Sequence, residues 1–302
     1  MKNFLILGFI SLFVSLLFNS AEAVEPATTQ VSKLCEVQAG GYDLDQYSSG
    51  VQQYEQAISC NLSVADASSE GNASAGFGPG IPQIGLVKAN AQLDTYNGIA
   101  KANFAASVQY YFEIQQIKVV PVTPPALLPV LFSARGEGYS QRVGYGFSQS
   151  LGVVYISGFY IERFEFEAYV VDEVAYDPID EEYLEGGFND TKSLNLSPNY
   201  PYSVSMSASC SLWAGPVGQN ADASVRCSAQ VDPFIAFDQS AFDAMMGSQT
   251  FSLKDYYKFV FSGNLPSPPS PPSKTMPWIP LLLLEESLTD NDKDGYPYFS
   301  GL

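Results

Sequence analysis

Asp290-Asn291-Asp292-Lys293-Asp294-Gly295 places three carboxylates at alternate positions and ends on a glycine. Calcium collects about six to eight oxygen ligands, and alternate carboxylates converge on one point where a glycine allows a sharp turn. The spacing predicts a calcium shell of Asp290, Asp292, Asp294 and Tyr296, the last at the position that supplies a backbone carbonyl. Tyr298 and Gly301 stand where the later ligands belong, so Glu285 or Glu286 would have to fold back to complete the shell. The plainer alternative is a solvated acidic tail. A second set, Asp177, Asp180, Glu181, Glu182 and Glu185, is expected in a loop after a strand. Two carboxylates facing each other across a cleft can act as acid and base on a glycosidic bond, whereas a charged loop tip needs no such geometry. A third set is aromatic: Tyr42, Tyr47, Tyr54, Tyr139, Tyr145, Tyr155 and Tyr160. Tyrosines on a sheet face can stack on sugar rings while Asn and Gln edges supply hydrogen bonds; the same residues also serve as ordinary packing.

Other chemistries are closed. The 302-residue chain contains no histidine, which excludes Ser-His-Asp and Cys-His mechanisms and every histidine-ligated metal. Acidic residues outnumber basic ones 32 to 14, for a net charge of −18, and such a surface repels a phosphate backbone. No P-loop, dinucleotide-binding fingerprint or zinc spacing is present. With 46% hydrophobic and 15% charged residues, the chain can bury a core.

The elements that must position these groups are strands. Asn103–Gln115 alternates with Phe104, Ala106, Val108, Tyr110, Phe112 and Ile114 on one face, and 85–95 alternates in the same way. Asn97-Gly98 between them is a turn pair, so the two runs are expected to form an antiparallel hairpin. A second hairpin is expected around Gly215–Asn220, with Val204–Leu212 and Ala223–Val231 as its arms. Glycines at 136, 138, 144 and 146 suggest bulges or short strands over 130–148, and 163–171 alternates again. Helix signals are confined to Gln239–Met246, which ends at Gly247; Leu253–Phe259 reads as a short turn or the start of a last strand. The implied fold class is all-β, an antiparallel, jelly-roll-like β-sandwich.

Lys2, the apolar run Phe4–Phe18 and Ala21-Glu22-Ala23 have the form of a cleaved secretion signal. The expected organisation is a signal at 1–23, a sandwich at 24–265, a Pro/Ser linker at 266–273 and a tail at 274–302. Four cysteines in an exported chain favour disulfides. Three connectivities are possible, and proximity favours Cys35–Cys60 and Cys210–Cys227. The second pair gains support from register, because both cysteines lie on the apolar faces of the expected hairpin at equal distances from its turn.

Two resemblances follow from these residues. The hexad 290–295 resembles dockerin-like and thrombospondin-type-3 calcium repeats. The stretch Val231–Met246, continued by Phe251–Phe259, is similar to the last segment of secreted Gram-negative bacterial proteins that carry exosortase-type (PEP-CTERM) sorting tails. The tail itself departs from that pattern: Trp278–Leu284 is short of a spanning helix, Glu285-Glu286 follow, and no basic cluster appears. The resemblance carries no catalytic residues and implies an envelope or extracellular-polysaccharide setting. The expected function is therefore a non-enzymatic secreted or cell-envelope protein with a structural, matrix or adhesive role. A calcium-dependent carbohydrate-binding module and a carboxylate-based polysaccharide-degrading enzyme are the alternatives. Partners would be extracellular polysaccharide or envelope components and not nucleic acid, with no cofactor unless Ca2+, and membrane anchoring is left open.

Overall fold

Strict alternation of small apolar and polar residues gives long strands with one dry face, and the chain folds accordingly. The computed structural model describes residues 24–52, 55–77, 85–96, 98–158, 161–171, 181–215 and 222–265. The expected signal, linker and tail, with Asp290, Asp292, Asp294 and Tyr296, lie outside these residues. Two antiparallel sheets pack face to face as a sandwich. Sheet A contains β1 (Thr28–Gln38), β2 (Tyr42–Ser48), β6 (Ile99–Gln116), β8 (Gly146–Ser157), β9 (Ile161–Val171), β11 (Tyr202–Ala214) and β13 (Tyr257–Phe261). Its order is β2-β1-β6-β11-β8-β9, with β13 on β6. Sheet B contains β3 (Gln56–Val64), β4 (Ala67–Gly76), β5 (Leu86–Tyr96), β7 (Leu128–Val143), β10 (Glu181–Leu196) and β12 (Asp222–Phe237). Its order is β10-β7-β12-β5-β4-β3.

Neither expected hairpin forms. β5 pairs with β4 and β12, while β6 pairs with β1 and β11. Likewise β11 belongs to sheet A and β12 to sheet B. In each case the chain steps from one sheet to the other, so the two apolar faces oppose across the core instead of lying side by side. Alternation fixes which face is dry, and both arrangements satisfy it equally. The cysteine pairing survives this change. Cys35–Cys60 joins β1 to β3 and Cys210–Cys227 joins β11 to β12, with Cα separations of 6.6 and 5.8 Å. Both bridges therefore tie sheet A to sheet B.

The glycines of 130–148 do not break the chain into short strands; β7 runs unbroken to Val143. Gly144, at φ 76°, opens the two-residue step into β8. Gly136 and Gly138 are small because aromatic rings lie across them. The Phe166 ring rests on Gly136, Gly138, Gly152 and Gly186, and a Cβ at Gly138 or Gly186 would stand 2.6 or 2.9 Å from it.

The core tapers. Along β6 most of the large inward residues, Tyr110, Phe112 and Ile114, lie toward one end, while Ala100, Ala102 and Ala106 lie toward the other with Phe104 among them; antiparallel β11 runs from Tyr202 and Met206 to Cys210, Leu212 and Ala214. At the narrow end the sheets are close enough for inward serines to reach facing backbone. Ser69 Oγ donates to the Lys101 carbonyl (2.9 Å), Ser140 Oγ to Ala168 (2.7 Å) and Ser148 Oγ to Arg226 (2.7 Å), each across the sandwich. These bonds compensate the burial of the hydroxyls.

The wide end is closed by α1 (Gln239–Met246), a 3-10 turn, α2 (Leu253–Tyr256) and β13. Asp238 caps α1 by accepting from the Ala241 N–H (2.9 Å), and Gly247 at φ 56° ends it. Leu253–Phe259 thus contributes both the short helix and the start of the last strand. β13 continues the line of β1 along β6, pairing Phe261 with Phe112 where β1 has ended. Asn264 fastens the two ends, accepting from the Ala27 N–H (2.7 Å) and donating to its carbonyl (2.8 Å).

Candidate functional site

The dry faces of sheet B are spent on the core, so its outward residues are free for recognition. Register brings them into rows: Glu70, Gln92, Arg226, Gln141 and Tyr183 in one, and Asn72, Asn90, Ser228, Tyr139 and Glu185 in the next. Two tyrosines from different strands meet there. Tyr139 on β7 and Tyr183 on β10 stack with centroids 5.8 Å apart at 29°. Tyr183 is 51% exposed. Its hydroxyl donates to Glu185 Oε1 (2.6 Å), and this hydrogen bond raises the phenol pKa.

Beside the pair runs a chain of polar groups. Ser228 Oγ donates to Asn90 Oδ1 (2.8 Å), and Asn90 Nδ2 donates to Asn72 Oδ1 (3.2 Å). Arg226 is exposed and makes no ion pair among the described residues. Asn72, Asn90, Gln92, Tyr139 and Arg226 line a shallow depression of about 340 Å³. A second hollow of about 480 Å³ lies toward the narrow end, with Asp66, Asp94, Tyr96 and Asp222 on its wall. The face therefore offers a stacking platform, a guanidinium and amide edges over an open, shallow surface.

The tyrosines singled out from sequence are dispersed. Tyr139 belongs to this face. Tyr145 packs edge-on to Trp213 (5.1 Å) and Tyr155 is 39% exposed, both on the outer face of sheet A. Tyr42 and Tyr47 lie on edge strand β2, and Tyr54 and Tyr160 are outside the described residues. Tyr183 was missed, because 181–185 was expected to be loop. As a strand, the alternation Glu181-Tyr183-Glu185 would have placed it on the face.

The acidic set is corrected on the same point. Glu181, Glu182 and Glu185 lie on β10 rather than in a loop, and Asp177 and Asp180 are outside the described residues. Glu182 points away from the other two and pairs with buried Arg142 (3.1 Å). Glu181 and Glu185 share a face four positions apart, roughly 13 Å between their Cα positions along the strand. Gln141 donates to Glu181 (2.8 Å) and Tyr183 to Glu185. Among the described residues no group of three or more Cys, Asp or Glu side chains is arranged to hold a metal ion.

Cys35, Cys60, Cys210 and Cys227 are all disulfide-bonded, as befits an oxidising, extracytoplasmic compartment. No helix of the described residues is long and apolar enough to cross a membrane. No protein-family model and no curated protein matches the chain. Among solved structures, TmCBM61 in complex with beta-1,4-galactotriose aligns over 49% of this chain and 71% of its own, at 11% identity and a TM-score of 0.15, too low to carry an argument.

Proposed function

We propose that the chain is an exported, non-catalytic glycan-binding module with a matrix or adhesive role in the cell envelope, and that the outer face of sheet B is its site. The observation that carries this reading is the stacked Tyr139–Tyr183 pair beside Arg226, which makes no ion pair among the described residues, and the Asn72–Asn90–Ser228 hydrogen-bonded row. A sugar ring offers a flat C–H face to an aromatic surface and hydroxyls around its edge to amides and guanidinium. A shallow depression suits an internal stretch of polymer, which needs passage at both ends. The polymer would be neutral, because the carboxylates around the face repel an anionic chain.

The test is affinity electrophoresis against a panel of soluble bacterial exopolysaccharides and plant galactans, glucans and mannans. Retardation by at least one polymer is expected, with affinity reduced roughly tenfold or more in Tyr183→Ala and Arg226→Ala. Tyr155→Ala, on the other sheet, should leave it unchanged. No retardation across the panel, or equal loss in the Tyr155 variant, refutes the assignment. Release of reducing ends would replace it with the enzyme reading. Loss of retardation on adding chelator would place the calcium-dependent alternative first and make Asp290, Asp292, Asp294 and Tyr296 the next variants.

A further inference from the structure

The wide end of the sandwich contains a cavity that the glycan reading does not use. Its volume is about 870 Å³, within the range of small-molecule sites. It lies between the end of β12, the α1–α2 cap and β13. Its walls are apolar: Ile235 and Phe237 from sheet B, Phe251 from the cap, and Tyr257 and Phe259 from β13. Phe237 and Phe259 stack at 4.3 Å and 21°, joining the two sheets along one side of the cavity.

Two neutral polar groups of the lining, Gln239 and Thr250, are already committed. Gln239 donates to the Phe251 carbonyl (2.9 Å) and to Asp243 (2.6 Å), and its Oε1 accepts from the Leu253 N–H (2.8 Å). Thr250 also donates to Asp243. A sugar in this cavity would therefore leave most of its hydroxyls against hydrocarbon. The two cations of the lining are in the opposite condition. Lys254 and Lys258 are exposed and make no ion pair or hydrogen bond among the described residues. Both line the same pocket in a chain with 14 basic residues and a net charge of −18. The lining thus carries two ammonium groups against one carboxylate, Asp243, already engaged by Gln239 and Thr250, and apolar walls with this positive excess match a molecule that is hydrocarbon for most of its length and anionic at one end.

We propose that this cavity binds a free fatty acid, with the acyl chain against Ile235, Phe237, Phe251 and Phe259 and the carboxylate at Lys254 and Lys258. This site is separate from the sheet B face and does not depend on the glycan assignment.

The experiment is calorimetric titration of delipidated full-length protein with laurate, myristate and palmitate below their critical micelle concentrations, and with the matched primary alcohols. Affinity should rise up to about fourfold per added methylene, and each acid should bind at least roughly tenfold tighter than its alcohol. A Lys254→Ser/Lys258→Ser variant, altered only at exposed side chains, should lose the preference for the acid while keeping the chain-length dependence and its melting temperature. Tyr183→Ala should bind the acids as the parent does. Absence of saturable binding, equal affinity for acid and alcohol, or an unaltered acid preference in the double variant each overturns the proposal. So does displacement of palmitate by an apolar uncharged peptide at lower concentration than by another fatty acid, which would make the groove a peptide site.

Discussion

Cys210 and Cys227 face each other across the core with their Cα atoms 5.8 Å apart, although β11 and β12 follow one another in sequence and share no ladder. The bridge closes 17 residues and the Cys35–Cys60 bridge 25. Each cross-link fastens one sheet to the other at a place where Ala, Ser and Gly provide little apolar area. Replacing either pair by alanine should cost about 3 kcal/mol through the freed unfolded chain. Urea unfolding of the two double variants checks this, and a loss below about 1 kcal/mol would mean the bridges merely decorate an already rigid contact.

Phe166 and its surrounding glycines make a second, opposite kind of constraint. Gly152→Val places a branched side chain against both the ring and Val231, and should destabilise by about 2–3 kcal/mol. Phe166→Ala should cost about 3–5 kcal/mol by leaving a cavity. Combined, the two changes should cost less than their sum by more than about 1 kcal/mol, since the new valine occupies space the ring has left. Strict additivity in chemical denaturation would disprove the contact.

Asp232 supplies a pH signature. Burial pushes its carboxyl above the ordinary range, with the Arg135 charge opposing, and Oδ1 is buried without a hydrogen-bond partner among the described residues. Because the folded pKa is raised, ionisation penalises the native state as pH climbs through the unfolded value of about 3.9 and on through the folded one. Asp232→Asn should therefore raise the melting temperature at pH 7, and the gain should shrink to nothing below about pH 3.9. A variant less stable than the parent at pH 7 would refute the penalty.

Glu182 tests structure against chemistry. It pairs with Arg142, whose guanidinium is 5% exposed and also donates to the Gly144 carbonyl (3.3 Å) at the β7–β8 step. Glu182→Gln should cost about 1–2 kcal/mol by weakening the partner of a buried cation, without changing glycan retardation. Loss of a polysaccharide-cleaving activity with stability intact would instead revive the carboxylate enzyme.

The strands over 85–95, 103–115, 163–171, 204–212 and 223–231, their dry faces and the favoured cysteine pairing were legible in the chain, whereas β1–β4 and the start of β10 were not. Period-two alternation along 103–115 and 204–231 records which side of each strand leaves water. The absence of histidine closes whole mechanisms by composition alone, and the α1 stop at Gly247 follows from local chemistry. Sheet membership was not legible. Backbone N–H and C=O groups are the same at every residue, so nothing within β5 or β11 says whether the next strand will share its ladder or cross the core to oppose it. That choice decided everything downstream: disulfides that span the sandwich, Tyr139 beside a Tyr183 more than forty residues away, and an apolar cavity with two lysines at the wide end. The sequence by itself determined what each face of each strand is made of. Which faces meet was settled only by packing, because rings such as Phe104 and Phe166 need the space that Gly71 and Gly138 leave opposite them.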